Sequence, residues 1–208
     1  MPDKLSYGTM TPMVTNAPLV LDLETQKLFS EVDGRRHLLK VSVVGIYDYA
    51  SQTYDAFEEK EILRLESYLR KASFLIGFNI RDFDLEVLKP YLLMSLEEVP
   101  VLDLLEELER ARGHRMSLES VAQATLGEGK SGSGLQAVQL YREGRLEELK
   151  QYCLDDVRIT HRLYEFGKQH GKVSFLSQKD GRIHDIPVSW ATWIAQKPQK
   201  GVFPSSLF

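Results

Sequence analysis

The run Leu19-Val20-Leu21-Asp22-Leu23-Glu24-Thr25 constrains this chain more than any other stretch, because it is apolar except for two carboxylates on alternate residues. Side chains of a β-strand alternate between faces, so Asp22 and Glu24 project from one side and Leu21, Leu23 and Thr25 from the other. Two acids then share one small volume of an otherwise apolar strand. That arrangement costs desolvation and like-charge repulsion unless a cation occupies the space between them. Oxygen ligands suit a hard ion such as Mg²⁺ or Mn²⁺. In the other reading Asp22 leaves the sheet at a strand end and Glu24 opens a solvated loop. Further acids elsewhere, at places a fold can bring together, are what decide between the two.

The pattern of the remaining chain is that of a mixed α/β domain. After the first strand, a turn-rich segment centred on Asp33-Gly34 leads into an apolar run from Leu38 to Tyr47. Thr53 to Phe57 reads as its hairpin partner, giving an antiparallel meander of three strands. Glu58 to Ala72 carries Ile62, Leu63, Leu65, Tyr68 and Leu69 at helical spacing. Ser73 to Asn79 reads as a buried strand, Phe83 to Leu93 as a helix bent or ended at Pro90, and Val99 to Asp103 as an edge strand, since Pro100 cannot donate to a ladder. A strand, helix, strand order implies a crossover and hence parallel strands after the meander. From Leu104 to Phe166 the pattern is helical with breaks at Gly113, Gly127 to Gly134 and Gly144, and the longest helix begins at Arg145. Asp180-Gly181 between alternating segments marks a C-terminal β-hairpin. The division expected is a loosely held arm over residues 1–16, one α/β domain over 17–170, and a hairpin with a tail over 171–208.

The totals restrict the classes of function. The chain has 208 residues, enough for one substantial core, with 43% hydrophobic and 27% charged residues as in a soluble globular protein. Its single cysteine, Cys153, allows no internal disulfide, and no run reaches membrane-span length. A reducing, cytoplasmic setting is expected, without membrane contact. A formal charge of −4, from 26 Lys+Arg against 30 Asp+Glu, argues against coating nucleic acid by charge alone but leaves room for gripping a few phosphates. Two basic clusters stand out, Arg35-Arg36-His37 and the group Arg110, Arg112, His114 and Arg115, each of which reads by itself as a solvated loop.

Further acids do fall at suggestive places. Asp82 and Asp84 follow the Ser73 to Asn79 strand at the entry of the next helix, where α/β sheets form binding crevices, and each could equally be a first-turn acid favoured by the helix dipole. In the long helix Tyr152 and Asp156 lie four residues apart, one turn from each other, beside the buried face marked by Leu149, Cys153 and Val157. A phenol and a carboxylate at that border suit the positioning of a water next to a metal.

Taken in order, Asp22-x-Glu24, Asn79-x-x-x-Phe83-Asp84 and Tyr152-x-x-x-Asp156 resemble the three motifs of DEDDy-type 3′-5′ exonucleases of the RNase H-like superfamily. The stretches Ser117 to Ala122, Leu126 to Lys130 and Tyr152 to Val157 look most like the exonuclease domain related to family B DNA polymerases. The resemblance covers about residues 17–168. It implies an RNase H-like mixed sheet flanked by helices, with Asp22, Glu24, Asp84 and Asp156 as ligands of two divalent cations, Mg²⁺ or Mn²⁺, and with Tyr152 orienting the attacking water. The motif spacings select Asp84 over Asp82 and Asp156 over Asp155. The implied activity is stepwise hydrolysis from the 3′ end of single-stranded nucleic acid, DNA favoured over RNA, releasing nucleoside 5′-monophosphates.

Leu23, Thr25, Asn79 and Phe83 then become candidates to contact the terminal nucleotide, Phe83 by base stacking, although core packing explains Leu23 as well. Lys130, in the Gly-rich segment 127–134, is a candidate for covering substrate phosphates. That segment is no nucleotide-binding P-loop, since Ala124 stands where the first glycine belongs. The alternative is a non-catalytic nucleic-acid-binding or scaffolding member of the same fold, which the presence of all four acids and the tyrosine counts against. The tail, with Trp190, Trp193, Lys197 and Lys200, is expected either to pack on the parent domain or to serve a homo-oligomer or protein-partner contact.

Overall fold

A computed structural model describes residues 17–129, 134–177 and 179–193. Its centre is a five-stranded sheet in the order β3-β2-β1-β4-β5, formed by β1 (Leu19–Thr25), β2 (Val41–Asp48), β3 (Thr53–Glu58), β4 (Leu75–Gly77) and β5 (Val101–Asp103). The meander β1-β2-β3 is antiparallel, whereas β4 pairs parallel to both β1 and β5. β5 forms the sheet edge, directly after Pro100. The expected RNase H-like mixed sheet is therefore the observed one.

The period-2 pattern of β1 divides the core. Leu19, Leu21 and Leu23 pack into one cluster with Ile62, Leu65 and Leu69 of α1 (Ile62–Leu69) and with Leu85 and Leu88 of α2 (Asp84–Leu88). Val20 faces the other layer, where it joins Leu104 and Leu108 of α3 (Leu104–Arg112), Val121 of α4 (Leu118–Leu126), and Val157 and Leu163 of α6 (Leu146–His170). α5 (Gly134–Arg142) reaches this second layer through Ala137 and Leu140, beside Leu149, Tyr152 and Cys153. Each fully buried leucine or valine stabilises the fold by roughly 1.5–3 kcal/mol, so both layers hold β1 firmly between them.

Local chemistry shortens several elements relative to the sequence pattern. Lys40 has φ +59, so the strand expected from Leu38 starts only at Val41, after a 3-10 turn over Arg36–Leu38. The segment before α1 is a 3-10 turn over Glu59–Glu61, so the helix expected from Glu58 begins at Ile62. Pro90 lacks an amide donor, and α2 stops at Leu88 before a 3-10 turn over Lys89–Tyr91 instead of running to Leu93. β4 is only Leu75–Gly77, because the chain turns out of the sheet at Asn79, φ +66. Ser117 Oγ accepts from Ser120 N to open α4 where the sequence expects it, whereas α6 runs past the end expected near Gly167 and stops at His170, before the left-handed Gly171.

After Gly171, β6 (Lys172–Leu176) and β7 (Ile183–Pro187) form the expected antiparallel hairpin. It docks on α4, where Thr125 Oγ1 donates to Ser174 O and accepts from Ser174 N. Trp190 stacks on Tyr164 of α6 at 6.2 Å and Trp193 lies 5.5 Å from Phe74, so both tryptophans pack on the parent domain. Lys197 and Lys200 lie outside the described residues. Among the described residues no helix is long and apolar enough to cross a membrane.

Candidate active site

The site is built where the C-terminal half of β1 meets α6 and the entry of α2. Asp22 pairs in register with Gly45 of β2, and α6 descends onto that point. A Cβ at Gly45 would lie 2.9 Å from Val157 Cγ2 and 3.0 Å from Cys153 Sγ, so the missing side chain is what lets the helix come this close. The Cys153 thiol reaches down to donate to Asp22 O at 3.6 Å. Burial, with Asp22, Glu24 and Asp156 nearby, pushes that thiol well above its usual range, which keeps it protonated beside the acids.

With α6 seated there, Asp22, Glu24 and Asp156 each place one carboxylate oxygen within 4.8 Å of the others. Asp156 is 2% exposed and Glu24 8%. The β1–β2 register shifts between Glu24 and Thr25, where Ser42 of β2 is the extra residue, just past the acids.

Asp84 arrives from the other side. Gly77 permits the turn that carries it, because a Cβ there would sit 2.1 Å from Ile80 Cγ2 and 2.8 Å from Leu21 O. From the first turn of α2, Asp84 Oδ1 accepts the Leu23 N–H at 2.9 Å, tying α2 to the strand that bears the acids. Burial raises the Asp84 carboxyl well above its usual pKa; Asp22 adds to this, the Leu23 N–H opposes it, and Glu24 adds further.

A cleft of 270 Å³ opens over these groups. It is lined by all four acids and also by Leu23, Thr25, Asn79 and Phe83, so the structure gathers eight of the ten residues singled out in the sequence. Leu23 is 4% exposed and belongs to the core as well, and Thr25 Oγ1 donates to Lys27 O at 2.8 Å. Tyr152 is placed differently. It is 5% exposed beneath α5 and lines an adjoining cleft of 640 Å³ with Leu135, Gln139, Arg145 and Gln151. Lys130 lies outside the described residues.

The sequence reading missed Lys27, Phe29, Phe78 and Val138, which line the acid cleft too. Phe29, half-exposed two residues after Lys27, had one available signal, as a lone aromatic in a turn-rich segment just past the acidic strand. Val138 had none, since its place at the cleft depends on how α5 docks.

The donor set tests directly as a metal site. All candidate ligands of the cluster are carboxylate oxygens, with no sulfur or imidazole among them, and they converge in a largely buried volume. Hard divalent cations that prefer oxygen fit this set, and softer ions do not.

Comparison with known proteins agrees with the architecture. A family model described as RNase H superfamily matches residues 19–166. Comparison with curated protein sequences gives no match. Among solved structures, the family B DNA polymerase of the hyperthermophilic archaeon Pyrobaculum calidifontis superposes with a TM-score of 0.57 at 16% identity, over 72% of this chain and 24% of the polymerase chain. E. coli Exonuclease I, solved in complex with a 5cy-dT13 oligonucleotide, gives 0.43 at 15% identity, over 73% of this chain and 40% of that one. The chain thus spans well under half the length of either protein.

Proposed function

The chain belongs to the RNase H superfamily, and on that premise we propose that it is a divalent-metal-dependent 3′-5′ exonuclease acting on single-stranded nucleic acid. The observation that carries this reading is the meeting of Asp22, Glu24 and Asp156 within 4.8 Å, with Asp84 buried in the same cleft. Separate elements of a fold rarely bring four acids into one volume for packing alone, because each costs desolvation. The likeness to a DNA polymerase fold is the reason for naming DNA ahead of RNA.

In this reading Asp22, Glu24, Asp84 and Asp156 would hold two ions, Mg²⁺ or Mn²⁺. When bound, such a pair lowers the pKa of a water and offsets charge on the phosphodiester. The chain's own residues do the rest. The Leu23 N–H fixes Asp84 Oδ1, so that carboxylate meets its ligand without rearranging. Thr25 and Phe83 border the space for the terminal nucleotide, Phe83 offering a ring for base stacking. Tyr152, one helical turn before Asp156, is assigned to orient the attacking water, which requires its hydroxyl to turn from the adjoining cleft toward the acids. Water adds to phosphorus, the bond to the 3′ oxygen of the preceding nucleotide breaks, and a nucleoside 5′-monophosphate leaves. Each turnover exposes a new 3′ end.

The test uses 5′-labelled single-stranded DNA and its RNA equivalent, in Mg²⁺, Mn²⁺ or chelator, beside Asp22→Ala. A metal-dependent ladder that shortens from the 3′ end and vanishes in the variant is expected. Binding of either strand without cleavage in any ion would instead favour the non-catalytic member of the fold.

A further inference from the structure

One basic residue of the solvated-looking cluster at 110–115 connects to the acid cleft. Asn79, which lines the cleft beside Asp84 just after β4, has φ +66, a left-handed conformation that asparagine tolerates. Its backbone is fixed from below: Asn79 N and Arg81 N donate to the two oxygens of buried Asp103, at 2.8 and 3.0 Å. The same carboxylate caps α3 by accepting from Leu105 N at 3.0 Å. α3 runs to Gly113, and the turn after it returns Arg115 to Asn79, where Arg115 Nη2 donates to Asn79 Oδ1. Asp103 thus holds Asn79 by its backbone and carries, through α3, the residue that holds it by its side chain.

The consequence is chemical. An asparagine amide has one accepting and one donating end. With Oδ1 taken by a cation, the amide cannot flip, and its N–H₂ end is presented as a donor; among the described residues no acceptor takes it. Arg115 also gives Nη1 to Glu109 at 3.4 Å, so its charge is paired and its reach into the cleft is through Asn79.

We propose that Arg115 is a positioning residue for substrate: it locks the Asn79 amide with its N–H₂ toward the cleft, where that group donates to a phosphate oxygen of the single strand next to the scissile linkage. The inference rests on the nuclease reading for the identity of the ligand. Arg115 touches no reacting atom, so its loss acts on strand binding rather than on the chemical step.

The experiment measures KM and kcat on single-stranded oligo-dT and, separately, binding of fluorescein-labelled oligo-dT in chelator. Arg115→Gln is expected to raise KM about tenfold with kcat within about twofold, the size of one charge-supported hydrogen bond. Arg115→Lys, which can still donate to Oδ1, is expected to recover part of the loss. Because Arg115 works through Asn79, Arg115→Gln combined with Asn79→Ala should bind no worse than Asn79→Ala alone. Glu109→Gln, which leaves the Asn79 bond in place, should not raise KM. An unchanged KM in Arg115→Gln, losses that multiply in the double variant, or an equal loss in Glu109→Gln would each overturn the proposal. If the wild type binds but does not cleave, about tenfold weaker binding by Arg115→Gln supports the inference while the exonuclease reading fails. If the wild type neither binds nor cleaves, both fail.

Discussion

Replacing Asp156 by asparagine removes one charge from the buried group while keeping the side chain's shape. At the 4.8 Å limit enclosing Asp22, Glu24 and Asp156, each ionised pair costs about 3.5 kcal/mol at an effective dielectric of about 20. Asp156 faces both other acids, so removing its charge relieves two such repulsions, roughly 7 kcal/mol before relaxation. Solvent screening, relaxation and the other polar contacts of these acids offset most of this. Without metal, Asp156→Asn is therefore expected to be more stable than the wild type by about 1–2 kcal/mol, with roughly 2–4 °C of melting temperature gained per kcal/mol at this chain length. With Mg²⁺ the order changes. An ion at a hundredfold excess over its Kd stabilises the wild type by about 2.7 kcal/mol, whereas the variant, lacking one anionic ligand, responds weakly. Thermal unfolding of both proteins in chelator and across a Mg²⁺ titration reads the crossing. A variant less stable than wild type in chelator, or one with an equal Mg²⁺ response, would refute the argument that these acids are held together for a cation.

Gly45→Ala brings a methyl to 2.9 Å from Val157 Cγ2, and is expected to lift α6 from β1 at a cost of about 1–3 kcal/mol; nuclease activity should fall in folded protein well below its melting temperature, and unchanged activity would show that α6 need not seat so closely. Tyr152→Phe keeps the buried ring, so melting temperature and Mg²⁺ response should stay the same while kcat drops about 10²-fold; an unchanged kcat would remove the tyrosine from the chemistry. His161 stacks on Tyr47 at 3.8 Å, and Tyr54 Oη lies 2.8 Å from its Nδ1. Burial lowers its pKa, opposed by Glu165 and reinforced by Lys168. The unfolded chain then binds more protons than the folded one, and stability is lost as pH falls from about 6.5 toward the lowered folded value. His161→Gln should flatten that part of the profile in urea unfolding between about pH 5 and 8, and parallel profiles would refute it.

What could be read from the residues was whatever local periodicity or spacing decides. The alternation in Leu19–Thr25 placed the acids on one face and the leucines on the other, and both core layers follow from it. The four-residue step from Tyr152 to Asp156 was legible for the same reason. Short elements were not, because a single backbone angle at Lys40 or Asn79, or a missing amide at Pro90, ends a run whose hydrophobic pattern continues. The burial of Tyr152 was also out of reach: it depends on α5 settling over α6, a contact between two helices whose apolar faces could each have met other partners.

The approach of α6 to β1 shows the same limit within the site itself. Asp156 reaches Asp22 only because Gly45 offers no Cβ to the helix, and Asp84 reaches Leu23 N only because Gly77 offers none to Leu21 O and Ile80. Neither glycine has chemistry of its own, so a search for ligands and bases passes over both. Each nevertheless sets a separation on which the carboxylates depend: α6 held off by the width of a methyl group would carry Asp156 out of a cluster only 4.8 Å across, and a side chain at Gly77 would push the turn before Asp84 off the backbone of β1. The acids state which chemistry is available, and the glycines beneath them state that the backbones come close enough for it.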